Sequence, residues 1–244
     1  MSERYFIELS YKGTHYSGFQ IQNNALTIQG QVQEAVSTLL NRRIILTGSS
    51  RTDAGVHALQ NFFHFDTDKP IADTAKLAYQ LNALLPKDIS ILSVFAVPND
   101  MHARFSALSR EYKYYITTQK DPFNYDTVYR YSSAADILLL QKAAEEIFRY
   151  RDFSSFSKLH TQVYTNDCQI YTSQWIKQND LLIYNVKANR FLRGMVRALV
   201  ATMLKVGVGK MSIEQFRNII ESRECSRAYF DAPAKGLFLV RVEY

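Results

Sequence analysis

Apolar and polar positions alternate at the start of the chain. Tyr5-Phe6-Ile7-Glu8-Leu9-Ser10-Tyr11 reads as a strand, and residues 12–18, with two glycines, read as a loop. The period then changes. Ile28, Val32, Val36, Leu39 and Leu40 make one apolar stripe with Thr27 at the capping position, which predicts a helix over 27–40. Ile44-Ile45-Leu46 predicts a short strand, and Asn61-Phe62-Phe63-His64-Phe65 another. A second helix is expected over 73–85, capped by Asp73 and stopped by Pro86, followed by strands at 90–97 and 111–118.

The second half repeats this mixture. The pattern predicts a helix over 136–149, strands at 168–177 and 181–187, and a long helix over 190–206 capped by Asn189 and ended by Gly207 and Gly209. Ser212 and Gln215 form a capping box for a last helix over 212–222, and residues 237–242 close the chain as a strand. Strands and helices mix without strict βαβ alternation, so the class read from the pattern is α+β with largely antiparallel sheet. The lobe boundary is expected near residue 105, giving lobes of residues 1–104 and 105–244, with a single sheet through both equally allowed.

Composition narrows the partners. At 47% hydrophobic, 244 residues suffice for a large core, and no apolar run approaches the length of a membrane span. The first residues enter a strand pattern without an apolar signal region, so the expected location is cytoplasmic. Cys168 and Cys225 lie far apart without metal spacing, and the five histidines form no ligand pair; no metal is expected. Lys and Arg exceed Asp and Glu by 29 − 23 = 6, which favours a polyanionic partner. Phosphate-binding, dinucleotide and serine-hydrolase glycine motifs are missing from the chain.

Three clusters carry candidate chemistry. In residues 49–58, small residues crowd Asp53 between two cationic-capable side chains, Arg51 and His57, and Gly55 permits a tight turn, as expected of a positioned carboxylate. Arg190, Arg193 and Arg197 fall within about 60° of one another at helical spacing, as a phosphate-binding face would, and Arg197, flanked by apolar residues, is placed to reach inward to a carboxylate such as Asp53. Beside Arg104 and Arg110, alternation puts Tyr112, Tyr114 and Ile116 on one strand face, where an aromatic can serve the core or stack on a base.

Several blocks together resemble the tRNA pseudouridine synthase A family. They are residues 51–58 (Arg-Thr-Asp-Ala-Gly-Val-His-Ala), 11–20, 81–86, 102–107 and 152–156, Phe191-Leu192 with Met195-Val196-Arg197, and residues 232–237, in the family's order over nearly the whole chain. The resemblance implies isomerisation of uridine to pseudouridine at positions 38 to 40 of the tRNA anticodon arm, without metal or other cofactor. It implies an α+β fold of two similar lobes sharing a sheet, with a basic cleft, and a homodimer whose subunits both contact the tRNA. It gives Asp53 as the catalytic aspartate, Arg197 as the basic residue paired with it, Tyr112 as the tyrosine packing on the target base and Arg51 as the arginine that helps extrude the nucleotide. Three positions depart from the pattern: Ser50 for a glycine, Phe19 for a tryptophan, and Phe62-Phe63 for smaller residues. Ser50 raises the question of the loop's backbone, since serine tolerates positive φ poorly. The alternative is a non-catalytic RNA-binding module using the same basic surface; a glycosidic hydrolase would want a second carboxylate, which the Asp53 segment lacks.

Overall fold

The computed structural model describes residues 2–158 and 165–244. In chain order the elements are β1 (Glu3–Tyr11), α1 (Ile28–Leu39), β2 (Thr47–Gly48), β3 (His57–Thr67), α2 (Thr74–Leu84), β4 (Ile89–Val97), β5 (Ser109–Thr117), β6 (Tyr129–Arg130), α3 (Ile137–Glu146), β7 (Ile170–Gln178), β8 (Leu181–Ala188), α4 (Met195–Gly207), α5 (Ile213–Ser222) and β9 (Leu237–Glu243), with short 3₁₀ turns between several of them. The fold is α+β, and its strand pairing is largely antiparallel. It divides into two compact units: one runs to Leu108 and is completed by Phe238–Tyr244, the other spans Ser109–Leu237.

In the first unit β1 lies between β3 and β4, antiparallel to both, with Tyr5 opposite Phe65 and Ala96. The far edge of β3 takes β2 antiparallel and β9 parallel. Phe62, Phe63, His64 and Phe65 are all buried, so β3 is covered on both faces; this is why its sequence reads as an apolar run rather than an alternation. Thr27 caps α1 by accepting from the Gly30 N–H, and Asp73 caps α2 by accepting from that of Lys76. Each such cap is worth about 1 kcal/mol.

The strand expected at 44–46 is not formed. Ile44 and Leu46 do point inward and Ile45 outward, as the alternation required. However, the backbone of this segment is bound by α1 side chains: Ser37 Oγ accepts from the Ile44 N–H, Gln33 from the Leu46 N–H, and the Gln29 amide donates to the Leu46 carbonyl. Sheet pairing starts only at Thr47.

In the second unit β8 lies between β5 and β7, Tyr112 opposite Val186 and Tyr114 opposite Tyr184. Beside this sheet, α3 packs on β7 and on α4. Every residue of α4 except Arg197 and Lys205 is buried, which makes it the core helix of the unit. It starts at Met195 behind Gly194, whose φ is 78°, and not at 190 behind Asn189. Asn189 instead extends the sheet's bonding, exchanging hydrogen bonds with the Gln169 backbone. Arg190 and Arg193 therefore lie on the approach to the helix, and the three-arginine helical face does not exist.

Candidate functional site

The Asp53 loop bridges β2 and β3, and its shape is set by buried polar groups. Tyr11 Oη and Thr52 Oγ1 are 2.8 Å apart. The Asn61 amide donates to Tyr11 Oη and to the Ser50 carbonyl, and its oxygen accepts from Ser49 Oγ at 2.6 Å. The Thr52 carbonyl accepts from the Phe19 N–H, and that of Asp53 from the Val56 N–H, closing a turn in which Gly55 has a φ of 77°. Paired polar groups in a low-dielectric interior hold a backbone in one arrangement.

The loop after β1 forms the other side of this cradle. A Cβ added to Gly13 would stand 2.0 Å from the Val56 carbonyl oxygen, so only glycine permits the approach. Phe19, in place of the tryptophan of the family pattern, is buried and stacks on Phe63 with centroids 4.7 Å apart. One departure thus packs on another. Ser50 is buried and is not among the residues with positive φ, so its Cβ introduces no left-handed strain.

Within this loop, neighbouring side chains diverge. Thr52 points inward, Arg51 is exposed, and Asp53 is partly exposed. His57 is not a cationic flank for Asp53. It is buried, its Nδ1 accepts the Gly13 N–H at 3.1 Å, and its ring stacks on Phe238. A nitrogen that accepts a hydrogen bond carries no proton, so His57 is a neutral pin for the cradle.

The second unit holds Tyr112 and Arg197. Tyr112 is buried, with its ring edge-on to Phe191 at 5.1 Å. Arg197 donates from Nε to the Ala232 carbonyl at 2.7 Å. The next carbonyl, that of Pro233, accepts from Tyr114 Oη at 2.7 Å, and a Cβ on Gly236 would lie 2.8 Å from the Tyr114 ring. One segment, residues 232–236, therefore anchors both the β5 tyrosine row and the arginine of α4. These two carbonyls were not legible as site components, since a backbone acceptor leaves no residue-type signal. Tyr11 and Asn61 were missed too; the available sign was a polar Asn inside an apolar strand.

Two of the motif blocks are held by local hydrogen bonds. Asp152 accepts from the N–H and hydroxyl of Ser154, Phe153 and Phe156 are buried, and Ser155 Oγ donates to the Ile219 carbonyl. At 102–107, His64 Nδ1 accepts the Ala103 N–H, and His102 Nδ1 accepts those of Arg104 and Phe105. Burial, with the like charge of Arg4, lowers the His64 imidazole to about 4 from an ordinary value of 6.5. Between those pH values the unfolded chain binds a proton that the folded chain refuses. Stability from this group is therefore complete above pH 6.5 and is lost as pH falls towards 4, by roughly 3 kcal/mol at most. Urea unfolding at pH 7 and pH 4.5 should show the parent losing about 2 kcal/mol more than His64→Gln; equal losses would refute this.

Among the described residues, no group of three or more His, Cys, Asp or Glu is placed to hold a metal ion, and the two cysteines are free. Burial pushes the Cys168 thiol up to about 12, which leaves it inert as a thiolate. No helix among the described residues is long and apolar enough to cross a membrane.

Comparison with known proteins identifies the family. A family model described as tRNA pseudouridine synthase matches residues 9–106 and 143–244. A protein of Bacteroides fragilis named tRNA pseudouridine synthase A is 48% identical over 243 residues, covering 99% of this chain and 96% of its own length. One of the same name from Parabacteroides distasonis is 46% identical over 241 residues, with the same coverage. Another, from Staphylococcus aureus, is 34% identical over 241 residues, covering 98% and 91%. Arg51, Asp53 and Arg197 fall inside the segments matched by the family model, and Tyr112 falls between them.

Proposed function

Because this chain belongs to the tRNA pseudouridine synthase family, we propose that it is the isomerase that converts uridine to pseudouridine at positions 38 to 40 of the tRNA anticodon arm. Its working form on this reading is a cytoplasmic homodimer that uses neither metal nor organic cofactor. The observation that carries the reading is Asp53: a carboxylate on a loop fixed by buried hydrogen bonds, inside a segment that matches the family model.

The chemistry follows from what must change in the substrate. The bond from N1 of uracil to C1′ breaks, the base turns, C5 bonds to C1′, and the proton of C5 is released while N1 gains one. Asp53 serves as nucleophile towards C1′ or C6, or as the base that takes a ribose proton. Arg197 offsets the charge of that carboxylate and fixes its rotamer; its Nε is already held by Ala232, so the guanidinium is pre-oriented. A stem nucleotide must leave its stack to react, at a cost of a few kcal/mol. Arg51, exposed on the loop, supports extrusion, and packing of the base on Tyr112 offsets about 1–3 kcal/mol. In this division of labour the first lobe supplies the Asp53 loop, and the second the tyrosine strand and the helix of Arg197.

Mapping pseudouridine at single-nucleotide resolution in tRNA from cells lacking this protein tests the site. Loss confined to positions 38 to 40, restored by the parent gene, is the expected result. Loss elsewhere in tRNA would keep the reaction and overturn the position.

A further inference from the structure

Residues 118–128 join β5 to β6 and display two large aromatics to solvent: Phe123 is 90% exposed and Tyr125 is 67% exposed. Such display is unfavourable in water unless a partner covers the rings. The segment is nonetheless internally bonded. Asp121 accepts from the Phe123 N–H and the Asn124 amide, and the Asn124 carbonyl accepts the N–H groups of Thr127 and Val128. A ring on a pre-ordered loop loses little entropy on stacking.

Two observations select the occupant. The first is charge. Asp126 is buried and Asp121 is engaged within the loop, while the exposed charged residues of residues 118–130 are Lys120 and Arg130. Exposed cations in the same segment as exposed aromatic rings suit a strand of bases and phosphates. The second is attachment. Lys235 donates from Nζ to the Tyr125 carbonyl at 2.6 Å, and Lys235 belongs to residues 232–236, the segment that anchors Arg197 and Tyr114. The aromatic loop is thus tied to the same backbone that positions the guanidinium of the proposed site.

Resting on the functional reading above, we infer that the loop of Phe123 and Tyr125 is a second RNA contact, stacking on unpaired bases of the anticodon loop beside the stem. The loop lies between the two segments matched by the family model, so that match assigns it no role.

The test compares Phe123→Ala/Tyr125→Ala with the parent on full-length tRNA. Both side chains are largely exposed, so the fold is retained. The expected result is a KM for pseudouridine formation raised about tenfold, kcat within twofold, and recovery of the parental KM in Phe123→Trp. Tryptophan fluorescence of Phe123→Trp should be quenched by tRNA, while that of the parent, whose one tryptophan is the buried Trp175, should not. An unchanged KM, or an altered kcat alone, overturns the inference. So does a variant that binds tRNA normally but has half the parental mass in solution, which would give the patch to a second copy of the chain. Failure of the parent itself to form pseudouridine would instead strike the functional reading.

Discussion

Asp53→Asn lowers the rate of pseudouridine formation by roughly 10⁴-fold or more, while tRNA affinity stays within about threefold. The asymmetry is the informative part. Asparagine matches aspartate in size, and the turn is closed by the Asp53 carbonyl and the Val56 N–H, which the substitution leaves alone. The buried supports, Tyr11 with Thr52 and Asn61 with Ser50, involve no atom of the Asp53 side chain. The loop therefore keeps its shape and loses only the group that can attack carbon or take a proton. Filter binding and single-turnover kinetics on the same tRNA separate the two quantities. A variant retaining a tenth of parental activity would remove Asp53 from the chemistry.

Arg197→Lys lowers kcat by about 10²-fold, nearly as much as Arg197→Ala does. Arginine can satisfy the Ala232 carbonyl with Nε and still present its two terminal nitrogens as a planar fork. Lysine has a single ammonium, and an ammonium drawn to the Ala232 carbonyl is held away from a carboxylate. Preserving the charge should therefore not preserve the rate. Steady-state kinetics check this, with KM expected to move less than kcat because positioning of the reacting carboxylate is felt in the transition state. Parental kcat in Arg197→Lys would show that charge alone suffices.

Most of the fold was legible because its signals are local. Thr27, Asp73 and the pair Ser212 and Gln215 all cap helices as their residue types and spacing require. The alternation around Tyr112, Tyr114 and Ile116 correctly separates the buried face of β5. The misreadings arose where tertiary partners override local pattern. Residues 44–46 alternate as a strand does, yet their hydrogen bonds go to α1 side chains. Residues 190–194 continue a helical spacing of arginines, yet Gly194 takes a left-handed conformation and Asn189 bonds to Gln169. Nothing in periodicity marks either event.

The candidate site was legible in a different way. Asp53 drew notice through its local crowding and Arg197 through its apolar flanks, whereas the roles of Tyr112 and Arg51 rested on resemblance over the whole chain. His57 shows the limit of reading charge from a string of letters. Its neighbours suggested a cation beside Asp53, and its burial with an accepting Nδ1 makes it a neutral support. The carbonyls of Ala232 and Pro233 are backbone atoms, and only the folded chain brings them to a guanidinium and a phenol.

The most direct measurement follows both fates of one nucleotide. Purified protein reacts once with tRNA carrying tritium at C5 of uridine, and the digested RNA is then resolved into nucleosides. Isomerisation gives one pseudouridine for each tritium released, no free uracil, and neither product in Asp53→Asn. Tight tRNA binding with no tritium release from the parent protein would leave an RNA-binding module, and free uracil in place of pseudouridine would make it a hydrolase; either result contradicts the assignment.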